Sequence, residues 1–233
     1  MMIYIFTQRD PFFTDTFLEE FDKYNIPYNV FDFPNFNKGL IFGVKRAILL
    51  YGFYGFLKML YIYANIKFKR KFSNMIDNRK VKSSEEMASI LSQIDEEDVL
   101  LSLSAPCRIP VEILKDNTLK INLHCGKLPK YAGMMPIFWQ MFNGEKDITI
   151  TAHHLAKEID TGKIIKETYI PINGSLFKLS QEAKRKSAQI FKDIVLKDSN
   201  LVYEPIPRND NVTLTKFPSK DQIKEFKKNN RLI

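Results

Sequence analysis

Asn122 and His124 stand two residues apart in the run Ile121-Asn122-Leu123-His124. Alternate residues of an extended strand share a face, so the amide and the imidazole emerge together while Ile121 and Leu123 take the other side. An amide can donate to an oxyanion, and an imidazole can accept a proton or, once charged, donate one. Asp160 follows after a further apolar strand, in Asp160-Thr161-Gly162. A carboxylate arriving from that strand-loop unit would orient the imidazole and favour its charged form. A base, an oxyanion donor and an acid would then meet in one place, and the set needs no metal.

Other residues stand around this trio in a fixed order: Leu128-Pro129, Tyr131, Gly133, Pro136, Gly144, Thr151-Ala152-His153 and Gly162. On these residues the chain resembles the 10-formyltetrahydrofolate-dependent formyltransferase family. The resemblance runs over residues 98–172 and is looser in the N-terminal hundred. It departs from the family pattern twice: Gly126-Lys127-Leu128-Pro129 stands where Ser-Leu-Leu-Pro is common, and Tyr131-Ala132-Gly133 where Tyr-Arg-Gly is frequent. Both departures lie in the loop beside the trio and bear on the substrate pocket rather than on the chemistry.

The resemblance implies an α/β fold, an open and mainly parallel Rossmann-like sheet. We expect a catalytic domain over 1–199 and a short C-terminal appendage over 200–233. It implies Asn122, His124 and Asp160 as catalytic residues and 10-formyltetrahydrofolate as formyl donor. The folate would lie across two backbone loops, one of Ser104, Ala105, Pro106, Cys107 and Ile109, the other of Ala156, Lys157 and Asp160. His153 matches a position where the family often has histidine, and we expect it to be a structural residue behind the site. His154 faces the other way.

Three branches of the family compete for the amine. Glycinamide ribonucleotide formyltransferases carry a glycine-rich phosphate loop after the first strand, where this chain has Thr7-Gln8-Arg9-Asp10-Pro11-Phe12-Phe13. With no glycine there, a backbone phosphate cradle is not expected. Methionyl-tRNA formyltransferases add a basic C-terminal β-domain, for which the residues after 200 are too few. Sugar N-formyltransferases, which act on a nucleotide-linked amino sugar for polysaccharide synthesis, fit best. Arg9 and Lys127, with Lys130, would face the diphosphate, and Pro129 and Gly133 would lie at the substrate. A non-catalytic binding protein on the same fold is the alternative, and the intact trio argues against it.

The elements that must position these groups are legible from periodicity. Residues 2–6 and 28–32 read as strands around a helix near 13–24, the start of a βαβ pattern. Ser83-Ser84-Glu85-Glu86 caps a short helix over 83–93, and Val99 to Leu103 is a buried strand. Leu119 to Cys125, 147–154 and 163–170 are further strands. Pro136 to Phe142, Leu176 to Leu196 and Asp221 to Lys228 are helices.

Residues 38–64 are apolar but interrupted by Lys45, Arg46 and Lys58, which leaves Ala47 to Leu57 as the longest uncharged piece. That is too short to span a bilayer, so no spanning segment is expected. A buried or half-buried helix pair is the leading reading. An interfacial helix beside the basic cluster Lys67, Lys69, Arg70 and Lys71, or a self-association surface, are the alternatives.

With 233 residues, 45% hydrophobic and 13% aromatic, the chain can bury a sizeable core. Its net charge of +8 suits a phosphate-bearing substrate, RNA or an anionic membrane. We expect that charge to be spread along the chain, which ranks it below the motif and makes a nucleic-acid partner unexpected. A homodimer is allowed for. Cys107 and Cys125 have neither CxxC nor zinc-ligand spacing, which fits a reducing cytoplasm, with membrane association left open. The N-terminus has no basic region ahead of its apolar run and reads as a first strand rather than a signal peptide.

Overall fold

The computed structural model describes residues 1–33, 40–67, 71–196 and 214–229. Lys69 and Arg70 of the basic cluster, and residues 200–213 and 230–233 of the appendage, lie outside them. The chain builds β1 (Ile3–Thr7), α1 (Thr14–Asp22), β2 (Tyr28–Asp32), α2 (Leu40–Lys67), β3 (Met75–Lys80), α3 (Ser84–Leu91) and β4 (Val99–Leu103). It continues through β5 (Leu119–His124), α4 (Pro136–Phe142), β6 (Asp147–His154), β7 (Ile164–Pro171), α5 (Leu176–Leu196) and α6 (Lys220–Asn229). The sheet runs β3-β2-β1-β4-β5-β6-β7. Its first five strands are parallel, and β6 and β7 are antiparallel to their neighbours. The open, mainly parallel α/β sheet expected from the sequence is the one observed.

Strand alternation divides the apolar residues between two unequal cores. On one face Ile3, Ile5, Val99, Leu101, Leu103, Ile121, Leu123, Ile148, Ile150 and Ala152 are buried with α1, α4 and α5. On the other, Phe6, Phe31 and Leu100 pack with Met87, Ile90 and Leu91 of α3 in a smaller cluster. Strands β5 and β6 contribute nothing to that second cluster. On that side they present Asn122, His124, Thr151 and His153, so the apolar covering stops where the polar residues begin.

Three features differ from the sequence reading. The edge strand β3 is unexpected because nearly all its side chains are exposed, and an edge strand wetted on both faces has no apolar alternation to read. The C-terminal residues return to the main core: Ile223 and Phe226 are buried there, Phe226 stacks on Phe138 at 4.4 Å between centroids, and Thr215 bridges to Gly133.

The third is a correction to the apolar region. The expected helix pair is present, as two helices that meet at Gly52 (φ 75°, ψ 171°), and the first is half-buried, but the second is largely uncovered: Phe53, Tyr54 and Tyr61 are 67%, 81% and 72% exposed. The window Val44–Asn65 is also long and apolar enough, by length and composition alone, to cross a membrane. The expectation that no segment reaches that length counted only the uncharged run. A long helix tolerates a few cations, whose stems are themselves apolar.

Replacing Phe226 by Ala removes a fully buried ring from the contact between α6 and α4. We expect a loss of about 3–5 kcal/mol in urea unfolding. A loss within experimental error would show that residues 214–229 are not part of the cooperative core.

Candidate active site

Register brings the polar residues together before any loop is considered. Asn122 pairs with His153 and His124 with Thr151 across β5 and β6, while Ser102 of β4 lies beside Asn122 on the other flank. Directly opposed residues share a face, so Ser102, Asn122 and His153 form a row across three strands, with His124 and Thr151 behind it. The loop after β6 leaves at the level of Lys120, to whose carbonyl the Leu155 N–H donates, and then carries Asp160 back over Asn122.

Asp160 sits in the left-handed region (φ 53°) and is 7% exposed. Its Oδ1 accepts from Asn122 Nδ2 at 3.1 Å and its Oδ2 from the Gly133 N–H at 2.9 Å. His124 Nδ1 lies 3.5 Å from Oδ2, and His153 Nε2 3.6 Å from Oδ1. Burial opposes ionisation of this carboxyl, yet contact with the His153 ring, the positive charge that the His124 ring takes up in acid and the Gly133 N–H outweigh it and hold the group down at about 2. Gly162 makes the close return possible: a Cβ there would fall 1.6 Å from the His154 carbonyl oxygen, so no larger residue fits without moving β6.

The hydrogen bonds fix the tautomers. His153 Nδ1 faces the His154 carbonyl oxygen at 2.9 Å and therefore carries the proton, leaving Nε2 to accept from Asn122 Nδ2 at 2.9 Å. Both N–H groups of the Asn122 amide are thus directed inward, to His153 and Asp160. His124 Nε2 faces the Tyr131 carbonyl oxygen at 2.7 Å and donates to it. Burial pushes the His124 pKa below the ordinary histidine value, against the pull of Asp160 and the Tyr131 carbonyl. The resting ring is neutral, and its Nδ1 lone pair is the site that can take a proton.

The expected trio is therefore brought together, and His153 joins it as the residue that holds Asn122. Two further features escaped the sequence reading. Lys184 on α5 is buried and donates from Nζ to Ser104 Oγ at 2.8 Å. Nothing in the sequence separates it from the other lysines of that helix. Thr215, far along the chain, accepts the Met134 N–H on its carbonyl and donates its own N–H to Ala132.

The expected folate loops are found as irregular segments. Ser104 has φ 55°, Pro106 and Cys107 are exposed, and Ile109 is anchored in the smaller core. Ala105 and Leu155 pack against that same core, so it floors both loops. Ala156 is half-buried and Lys157 exposed.

The expected substrate residues have separate partners within the chain. Arg9 donates from Nε to Asp15 at 2.7 Å and stacks on Phe72. Lys130 is bound to Glu145, Lys127 is exposed, and Pro129 is half-buried. Gly133 is engaged with Asp160 and Thr215. Among the described residues, no three His, Cys, Asp or Glu side chains are placed to hold a metal ion.

This fold and site are those of an α/β group-transfer domain with an Asn-His-Asp centre. Residues 65–193 match the formyl transferase family, and the chain belongs to that family. It is similar to the methionyl-tRNA formyltransferase of Latilactobacillus sakei, 30% identical over 145 residues, which cover 58% of this chain and 43% of that protein. The matched part of the chain spans less than half the length of that relative. In fold it resembles the N-formyltransferase of Helicobacter canadensis in complex with folinic acid and dTDP-3-aminofucose, with a TM-score of 0.55 and 19% identity over 92% of this chain and 70% of that one. It resembles the methionyl-tRNA formyltransferase of Clostridium thermocellum equally well, with a TM-score of 0.54 and 16% identity over 95% and 74%.

The depressed Asp160 pKa has a consequence for folding. A carboxyl at about 2 in the folded chain and near the ordinary aspartate value of 3.8 when unfolded stabilises the fold above the higher value and ceases to as pH falls through the lower. The stability of wild type minus that of Asp160→Asn should therefore shrink by about 2 kcal/mol from about pH 5 to about pH 2. A difference that does not change with pH in denaturant titrations would contradict the assigned ion pairing.

Proposed function

We propose that the chain is an N-formyltransferase that moves a formyl group from 10-formyltetrahydrofolate to the primary amine of a nucleotide-linked amino sugar. The observation that carries formyl transfer is the buried Asp160 carboxylate, held by Asn122 and facing His124 from 3.5 Å. In the reaction the amine nitrogen bonds to the formyl carbon and the carbonyl electron pair moves onto oxygen. Turning the Asn122 amide outward frees an N–H for that oxyanion. His124 Nδ1 takes the ammonium proton, and the imidazolium so formed lies against Asp160. Collapse of the intermediate re-forms the carbonyl and breaks the bond to the folate nitrogen, which leaves with the proton that the His124 imidazolium returns.

The donor is assigned from the loops. The N–H groups of Ala105, Cys107 and Ile109 make no hydrogen bond within the described residues, so backbone donors stand available to the polar edge of a pteridine ring. The folinic acid bound by the Helicobacter canadensis enzyme supports the same donor class. For the acceptor, the aminofucose nucleotide of that enzyme supports an amino sugar, as does the glycine-free loop Thr7–Phe13. The sequence relatives instead favour a methionyl-tRNA acceptor as the second reading. Incubation with formyltetrahydrofolate and either a panel of nucleotide-linked amino sugars or charged initiator tRNA, read by the mass gain of a formyl group, separates the two. Transfer to the tRNA alone would overturn the sugar assignment.

His124→Ala, Asn122→Ala and Asp160→Ala should each lower turnover by on the order of a hundredfold or more with the fold intact. Combined losses should be less than multiplicative, since the three act as a unit. Because the base must be neutral and its pKa is lowered, turnover should fall only in acid, through a midpoint below 6.5. Asp160→Asn removes a group that raises that pKa and should move the midpoint further down. Full turnover in folded His124→Ala would refute the assignment.

A further inference from the structure

The net charge is not spread along the chain. Residues 33–76 hold eight of the 35 Lys and Arg residues, namely Lys38, Lys45, Arg46, Lys58, Lys67, Lys69, Arg70 and Lys71, and none of the 27 Asp and Glu residues. That stretch therefore carries the whole net charge of +8, and the remainder of the chain is neutral. The same stretch contains the least covered apolar surface. Among the described residues, six of the fourteen exposed large hydrophobic ones, Phe53, Tyr54, Leu57, Leu60, Tyr61 and Tyr63, fall within eleven residues of α2.

The two halves of α2 have different neighbours. Before the break at Gly52, the helix is tied to the body: Leu50 is buried, Tyr51 meets Phe177, Arg46 lies 4.1 Å from the Phe217 ring centre, and Lys227 Nζ reaches the Leu49 carbonyl. After it, Gly55 and Met59 turn inward and Tyr63 rests on Phe12. Phe53, Leu57, Leu60, Tyr61 and Ala64 recur at helical spacing on the outer side and are exposed. Lys45, Lys58 and Lys71 are exposed as well.

We propose that the second half of α2, Phe53 to Asn65, docks on the surface of an anionic lipid bilayer, lying in its interface. Phenyl and phenol rings suit the boundary between headgroups and acyl chains, and exposed lysines beside them meet anionic headgroups. A second copy of this chain answers the apolar face but not the charge, because it would bring two stretches of eight cations and no anions together. Crossing the bilayer does not fit either. The half beyond the break is about 20 Å long against about 30 Å of hydrocarbon, and a broken helix leaves backbone groups unpaired in lipid.

Co-sedimentation of the full chain with vesicles tests this. Wild type should bind vesicles of phosphatidylcholine and phosphatidylglycerol in equal parts at least about tenfold more tightly than phosphatidylcholine alone, and less tightly as salt rises. The triple variant Phe53→Ser, Tyr54→Ser, Tyr61→Ser should lose that binding by about tenfold or more while keeping wild-type thermal unfolding, since all three side chains are exposed. Lys45→Gln with Lys58→Gln should weaken binding to the anionic vesicles only. Equal binding by the triple variant, or no preference for the anionic vesicles, would overturn the proposal. A wild-type dimer in light scattering that the triple variant abolishes, without vesicle binding, would assign the face to a second copy instead. Resistance of the wild-type chain to alkaline extraction from cell membranes would assign a span.

Discussion

Burying a carboxylate without partners is prohibitive, and the candidate site is organised around one that has them. Asp160 is reached by an amide from β5, a backbone N–H from the loop after β5, and two imidazoles, one on β5 and one on β6. The partners come from β5, from β6 and from the loop before α4, so the charge fixes that loop, the loop after β6 and the two strands relative to one another. The left-handed backbone at Asp160 and the close approach at Gly162 are the local distortions that allow the return. In a medium of low polarity the same charge also acts strongly on its neighbours. It holds Asn122 in place, and it waits beside a histidine that burial keeps neutral and that becomes a cation only when a proton arrives.

The place of this centre follows from the unequal cores. An apolar cover over both faces of β5 and β6 would leave no room for polar side chains, and the smaller core ends at β4. The reversal of direction at β6 matters for the same reason. An antiparallel neighbour sets His153 directly opposite Asn122, where its Nε2 accepts the inward N–H of the amide. The returning C-terminal residues close the arrangement from outside, since Thr215 takes up the backbone of the segment 132–134 that presents the Gly133 N–H to Asp160. A substitution at Thr215 would therefore act on the centre through Gly133, without touching any reacting atom.

What the sequence disclosed, it disclosed through periodicity and order. Two-residue alternation put Asn122 and His124 on one face, and their ordered neighbours pointed to the carboxylate at Asp160. The share of the site that stayed hidden depends on pairing between distant strands. His153 reads as a structural histidine until the register is known, because its contact with Asn122 is made across strands. Lys184 is one cation among several on α5 and gains meaning only from the position of Ser104. The C-terminal return depends on contacts such as Phe226 with Phe138, separated by most of the C-terminal half of the chain.

The apolar region escapes a reading from sequence for a different reason. A hydrophobic helix in a globular chain is usually buried, and propensity cannot show whether the body has surface to bury it. Here the first half of α2 finds that surface and the second finds it only along Gly55 and Met59, and the division falls at Gly52, whose backbone departs from the helix. The unpaired half carries no carboxylate, and neither does the sequence from Phe33 to Ile76 around it. The trio, on β5 and in the loop after β6, needs neither feature, for its partners all come from residues 122–160. Two requirements have therefore been met by separate parts of one chain. A buried polar centre is built where two strands leave the smaller core, and an apolar, cationic face is built where a helix leaves the larger one.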